Sequence, residues 1–152
     1  MPHEKFFDTG KVKINYLDYG NSSREPLVML HGGAWIWQEY LSLMPALSGR
    51  WHPYALDLRG NGKSGWVPGH YRLEDFTEDT VAFVRQLKEP AVLIGHSIGG
   101  VVAIMVARKL PALPTLLVGA LLGGVQAWFA GVPLGTVLGA AMSGHQPGTG
   151  DA

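Results

Sequence analysis

Apolar positions along this chain follow two alternating periods as far as about residue 110. From Lys11 to Tyr19, Val12, Ile14 and Tyr16 alternate with polar neighbours, which predicts a half-buried strand. Asn21 to Pro26 is a turn-rich break. Leu27 to Leu30 is a short, wholly apolar run, as expected of a buried parallel strand. Helical spacing of Trp37, Tyr40, Leu41 and Met44 follows up to Leu47, interrupted by Pro45. Tyr54 to Leu56 predicts another short buried strand, with Pro53 at its start, where a missing N–H does least harm. The clearest helix is Leu73 to Leu87, with Leu73, Phe76, Thr80, Phe83, Val84 and Leu87 on one face. Acids fill its first turns and Arg85 and Lys88 its end, the polarity that the helix dipole favours, and Pro90 stops it. Ala91 to Ile94 predicts a buried strand and Ile98 to Leu110 an apolar helix. Alternation of this kind implies an α/β fold, with a mostly parallel sheet and helices on both faces.

Charge divides the chain. Lys plus Arg and Asp plus Glu are 12 each among 152 residues, a net charge of zero with His neutral. That balance excludes the basic face a general nucleic-acid binder needs. Eleven of the 12 acids lie at or before Glu89, and Lys109 is the last base. Residues 1–110 are therefore read as an α/β core and 111–152 as a separate uncharged, glycine-rich apolar tail. Without Cys, disulfides, thiolate catalysis and Cys-ligated zinc are excluded. No secretory signal heads the sequence, so cytoplasmic is the default expectation.

Three motifs carry candidate chemistry. Gly95-His96-Ser97-Ile98-Gly99 fits G-x-S-x-G and stands between a buried strand and a helix. In that setting a serine is held on a strained turn with its hydroxyl exposed above the sheet edge. Ser97 is thus the candidate nucleophile. The Ile98 N–H, at the helix start, is a candidate oxyanion donor. The bland alternative is a glycine-rich turn with an incidental serine. His31-Gly32-Gly33-Ala34, directly after the Leu27 to Leu30 strand, is a weak motif alone. Upstream of G-x-S-x-G it nominates Gly33 as the second oxyanion donor, with Ala34 as the alternative. His31 is read as a loop-positioning residue. Gly62-Lys63-Ser64 invites a phosphate-loop reading, which fails because Asp57 stands where the first glycine belongs. Asp57 and Arg59 are read as structural, pairing with or capping backbone groups.

The stretches INYLDYG (14–20), PLVMLHGGAW (26–35), YALDLRGNGKSG (54–65) and VLIGHSIGGVVA (92–103), in this order, resemble the α/β-hydrolase superfamily, over roughly residues 5–110. They are most similar to its group of esterases, epoxide hydrolases, haloalkane dehalogenases and carbon–carbon bond hydrolases. The resemblance implies an α/β-hydrolase-like fold, truncated after about the fifth or sixth strand. Where relatives carry an Asp nucleophile, Ser97 points instead to cleavage of an ester-like or carbon–carbon substrate through an acyl-enzyme. No metal or organic cofactor is implied, and the expected partner is a small-molecule substrate.

The family order is nucleophile, then acid, then histidine. After Ser97 the only histidine is His145 and the only acid Asp151, in reversed order. The triad acid and base are therefore not recognisable, and activity of the chain is expected to be impaired. Three readings of the tail stand: a truncated or frame-shifted product, favoured by the abrupt loss of charge; a membrane segment over 116–142; or a native sixth strand near 116–120 followed by an apolar helix. The rival function is a non-catalytic binding or membrane-associated protein on a hydrolase scaffold.

Overall fold

The computed structural model describes residues 2–87 and 89–110, all within the compact unit Met1–Gly119. The readings placed on His145, Asp151, 116–142 and the sixth strand lie outside the described residues. Five strands are described: β1 (His3–Asp8), β2 (Lys13–Asp18), β3 (Pro26–Leu30), β4 (His52–Leu56) and β5 (Val92–Gly95). Three α-helices accompany them: α1 (Met44–Leu47), α2 (Leu73–Gln86) and α3 (Ile98–Lys109), with a short 3-10 helix at Trp37–Tyr40. The sheet order is β1-β2-β4-β3-β5. Its β4-β3-β5 portion is parallel, and β1 and β2 join it as antiparallel strands.

Alternation along the parallel strands feeds two cores. Val28, Leu30, Leu56 and Leu93 face α2 and α3 and pack with Phe76, Phe83, Val84, Val102 and Val106. Leu27, Met29 and Ala55 face the other way, onto Tyr40 and Met44. Both faces of the sheet are thus covered, which is why β3 is buried at all five positions.

Three local departures from the sequence pattern have physical causes. Strand β2 is buried on more than one side, because Asn15 and Leu17 are covered as well as Ile14. The apolar period over 37–47 is split into a 3-10 turn and α1. Proline cannot sit in a helix interior, and Pro45 falls instead in the first turn of α1, where its missing N–H costs nothing. Strand β1 has no alternating pattern, being exposed almost throughout. It is fixed by its six-residue ladder to β2 and by Phe7, which meets Phe83 edge to face at 5.7 Å.

Helix α2 matches its predicted span, and the Asp75 carboxylate accepts the Arg72 N–H at 3.0 Å to close its first turn. Among the described residues no helix is long and apolar enough to cross a membrane.

Candidate active site

β3 and β5 are neighbours, and their last residues, Leu30 and Gly95, stand opposite one another. The loops that follow them therefore start side by side at the carboxyl edge of the parallel sheet. On the β5 side, Ser97 has φ +52° and ψ −119° and is exposed, although it caps a helix whose first turn is largely buried. That backbone is strained for a residue with a Cβ. The turn is possible because a glycine sits two residues to either side. A Cβ on Gly95 would enter the backbone of Gly99 and Gly100, and one on Gly99 would enter the carbonyls of Leu30 and His31. The His96 N–H reaches the Leu30 carbonyl at 3.0 Å, which ties the turn back to β3.

On the β3 side, a Cβ placed on Gly32 would lie 3.5 Å from that of Ser97, so the two loops are in contact. Every polar group of Gly32 is engaged: its N–H donates to Glu39 Oε2 at 3.1 Å, and its carbonyl accepts from His31 Nδ1 at 2.7 Å and the Trp35 N–H at 3.3 Å. Ala34 adopts φ +62°, and Gly33, Ala34 and Trp35 are exposed. Among the described residues, no hydrogen bond uses the N–H of Gly33, Ala34 or Ile98. The structure thus brings together Ser97, Ile98 and the Gly33–Ala34 loop, all four singled out in the sequence.

His31 is fully buried. Its Nε2 accepts the Leu58 N–H at 2.9 Å, so its proton sits on Nδ1 and points to Gly32. Burial pushes its pKa below the ordinary histidine value, and the ring stands neutral between the loops after β3 and β4. Asp57 accepts the backbone N–H groups of Trp37 at 2.8 Å and Lys63 at 3.0 Å. Burial raises its pKa against those two donors. A Cβ on Gly62, at φ +51°, would overlap the Asp57 carboxylate, so the Gly62-Lys63-Ser64 turn wraps a side chain rather than a phosphate. Ser64 Oγ is likewise spent, donating to the Asp57 carbonyl at 2.7 Å. Arg59 pairs with the side chains of Asp79 and Asp75.

Among the described residues, no histidine or carboxylate is hydrogen-bonded to Ser97 Oγ, and no group of acids and histidines is arranged to hold a metal ion. His52 is engaged with Asp18 at 2.6 Å at the amino end of β4, away from this edge. One residue the sequence reading passed over enters the site. Glu39 touches both loops, reaching Gly32 through one oxygen and standing 2.5 Å from His96 Nδ1 through the other.

Comparison with known proteins bears on the fold. The chain is 32% identical over 105 residues to the dihydrolipoyllysine-residue acetyltransferase component of the acetoin cleaving system of Pseudomonas putida, covering 68% of this chain and 28% of that protein. It is 32% identical over 108 residues to a 2-(acetamidomethylene)succinate hydrolase of Mesorhizobium japonicum, covering 70% of this chain and 38% of the other. The chain thus spans roughly a third of the length of these curated relatives. Among solved structures, epoxide hydrolase A of Mycobacterium thermoresistibile superimposes with a TM-score of 0.66 at 25% identity, over 70% of this chain and 35% of the other. A family model described as the alpha/beta hydrolase family matches residues 27–151. The order β1-β2-β4-β3-β5, the sharp turn at Ser97 and this match lead to one conclusion: the chain belongs to the alpha/beta hydrolase family.

Proposed function

We propose that the chain carries the nucleophile half of a serine hydrolase active site, acting on a carbonyl-containing small molecule, ester-like or cleaved at a carbon–carbon bond. Ser97 Oγ attacks the carbonyl carbon. As the new C–O bond forms, the carbonyl π pair moves to oxygen, and the Ile98 and Gly33 N–H groups stabilise the charge, with Ala34 as the alternative to Gly33. Collapse expels the leaving group and leaves an acyl-enzyme on Ser97, which water then hydrolyses.

One observation carries this reading: an exposed serine is held at positive φ at a helix N-terminus whose first amide is unpaired. A strained serine is costly to keep and gives the fold nothing by itself. Support also comes from a relative named for hydrolysing 2-(acetamidomethylene)succinate.

Among the described residues no side chain stands ready to take the Oγ proton, so it passes to solvent water on attack, and the leaving group takes a proton from water as it departs. Without a general base, a serine hydroxyl is a weak nucleophile at neutral pH. We therefore expect slow chemistry in this chain as it stands. The rival reading, a non-catalytic binding scaffold, is favoured by the lack of any base on Ser97 among the described residues.

A fluorophosphonate probe separates the two. The hydrolase reading expects stoichiometric labelling of the full chain, abolished by Ser97→Ala. Folded protein that takes up no probe would establish the binding scaffold instead.

A further inference from the structure

We infer that Glu39 and His96 form a clamp that locks the oxyanion loop onto the nucleophile turn, making Glu39 a positioning residue. The inference deepens the reading of Ser97 as nucleophile and rests on that reading only for its kinetic consequence.

Glu39 lies in the 3-10 turn that follows the loop, and its backbone is secured on both sides. The Trp37 N–H is bonded to Asp57, and Tyr40 Oη donates to the Leu30 carbonyl at 2.8 Å. From this base the carboxylate reaches back across the loop. Oε2 takes the Gly32 N–H, and Oε1 stands against His96 Nδ1 at 2.5 Å. The contact is close without forming a hydrogen bond, and Nδ1 is buried with no hydrogen-bond partner among the described residues.

His96 is itself anchored through both of its backbone groups, N–H to Leu30 and carbonyl to the Gly99 N–H at 2.9 Å. Its ring covers Gly32 so closely that a Cβ there would come within 2.8 Å of Nδ1. One carboxylate therefore joins the residue before Gly33 to the residue before Ser97.

The clamp sets the direction of the Gly32 N–H. Glu39 occupies this N–H, so it is not offered to an oxyanion. With the Gly32 carbonyl also held, by His31 and Trp35, the peptide planes around Gly32 are fixed, and the N–H groups of Gly33 and Ala34 are left for a ligand. His96 as the general base fits less well, because its Nδ1 is turned to Glu39 and Gly32.

The test uses the full chain labelled with ¹⁵N and compares wild type, Glu39→Ala and Glu39→Gln. In Glu39→Ala the Gly32 amide should move upfield and exchange with solvent about tenfold faster, the worth of one net hydrogen bond. Glu39→Gln keeps an acceptor and should restore most of the protection. An unchanged Gly32 amide in folded Glu39→Ala overturns the clamp.

The kinetic arm follows fluorophosphonate labelling against probe concentration. The limiting rate should fall about tenfold in Glu39→Ala, with the half-saturating concentration unchanged, as expected when orientation rather than binding is lost. A wild-type limiting rate in that variant overturns the positioning role. Wild-type protein that never labels would remove Ser97 as nucleophile and leave the Gly32 amide to decide the clamp. If Glu39→Ala does not fold, His96→Ala cuts the other arm, and loop displacement is read from the same amide.

Discussion

Arg59 and Asp79 meet fork to fork: Nε and Nη2 of the guanidinium donate to the two carboxylate oxygens at 2.6 and 2.7 Å, with the side chains 2% and 5% exposed. The pair joins the loop after β4 to the middle of α2. A third donor, Arg59 Nη1, reaches the His70 carbonyl at 3.1 Å. Hydrogen bonding to Asp79 holds the guanidinium above its ordinary pKa.

Breaking this pair on one side strips a buried charge of its two shortest bonds, leaving it Asp75 at 3.5 Å and the His70 carbonyl. Asp79→Ala should therefore cost about 3–5 kcal/mol of stability. Replacing both residues by apolar side chains of similar volume should cost far less, because the desolvation of both charges disappears with their attraction. Urea denaturation of the two variants checks the contrast; equal losses would show that the ion pair is not what holds the loop.

Gly99 and Gly33 make opposite predictions, though both flank the site. Alanine in a helix gains about 1 kcal/mol over glycine. At Gly99 that gain is outweighed, because the added methyl would enter the backbone carbonyls of Leu30 and His31, which cannot swing aside. Gly99→Ala should lose a net of about 2 kcal/mol. Gly33 has open space where a Cβ would go and no positive φ. Gly33→Ala should leave the thermal midpoint within a degree or two of wild type. A drop in the Gly33 variant as large as that in Gly99→Ala would show that the loop is packed more tightly than described.

Ser97 stores strain that glycine would release. Ser97→Gly should be more stable than Ser97→Ala by about 1 kcal/mol, the strain of this positive-φ backbone less the entropy glycine loses on folding. Both should be equally unreactive to a fluorophosphonate. If the alanine variant proves the more stable by equilibrium unfolding, the backbone at 97 is relaxed and the strain argument fails.

His31 makes stability depend on pH in a stated direction. Burial depresses its pKa in the folded chain, so the unfolded chain binds the proton first as pH falls. Its contribution is fully present above the unfolded value of about 6.5 and is lost as pH drops from there through the lower folded value. His31→Gln, which can still donate and accept, should flatten this part of the profile. Urea midpoints between pH 5 and 8 provide the measurement; an unaltered slope in the variant would assign the dependence to another group.

Much of this fold was legible because burial and periodicity coincide. β3, β5, α2 and α3 each bury the residues that their pattern exposes to inspection, and the glycines around Ser97 fit only a close strand–helix turn. β1 was silent, since an edge strand exposed on both faces has no reason to alternate. Glu39 was silent for another reason. Its partners, Gly32 and His96, lie on different loops, and only the adjacency of β3 and β5 brings them to one carboxylate. Arg59 was legible as structural, but its partner was not, because nothing along the chain marks Asp79 from the other acids of α2.

The direct ladder between β3 and β5 has a consequence for transplanting the site. Neighbouring strands stand about 4.8 Å apart whatever their side chains. The starting separation of the Ser97 turn and the Gly32–Ala34 loop is therefore inherited from main-chain spacing, and the Glu39 contacts act on loops that already begin side by side. An engineer grafting both loops onto another parallel strand pair ending in the same register would have to carry the 3-10 turn with Glu39 as well, because that carboxylate bridges them.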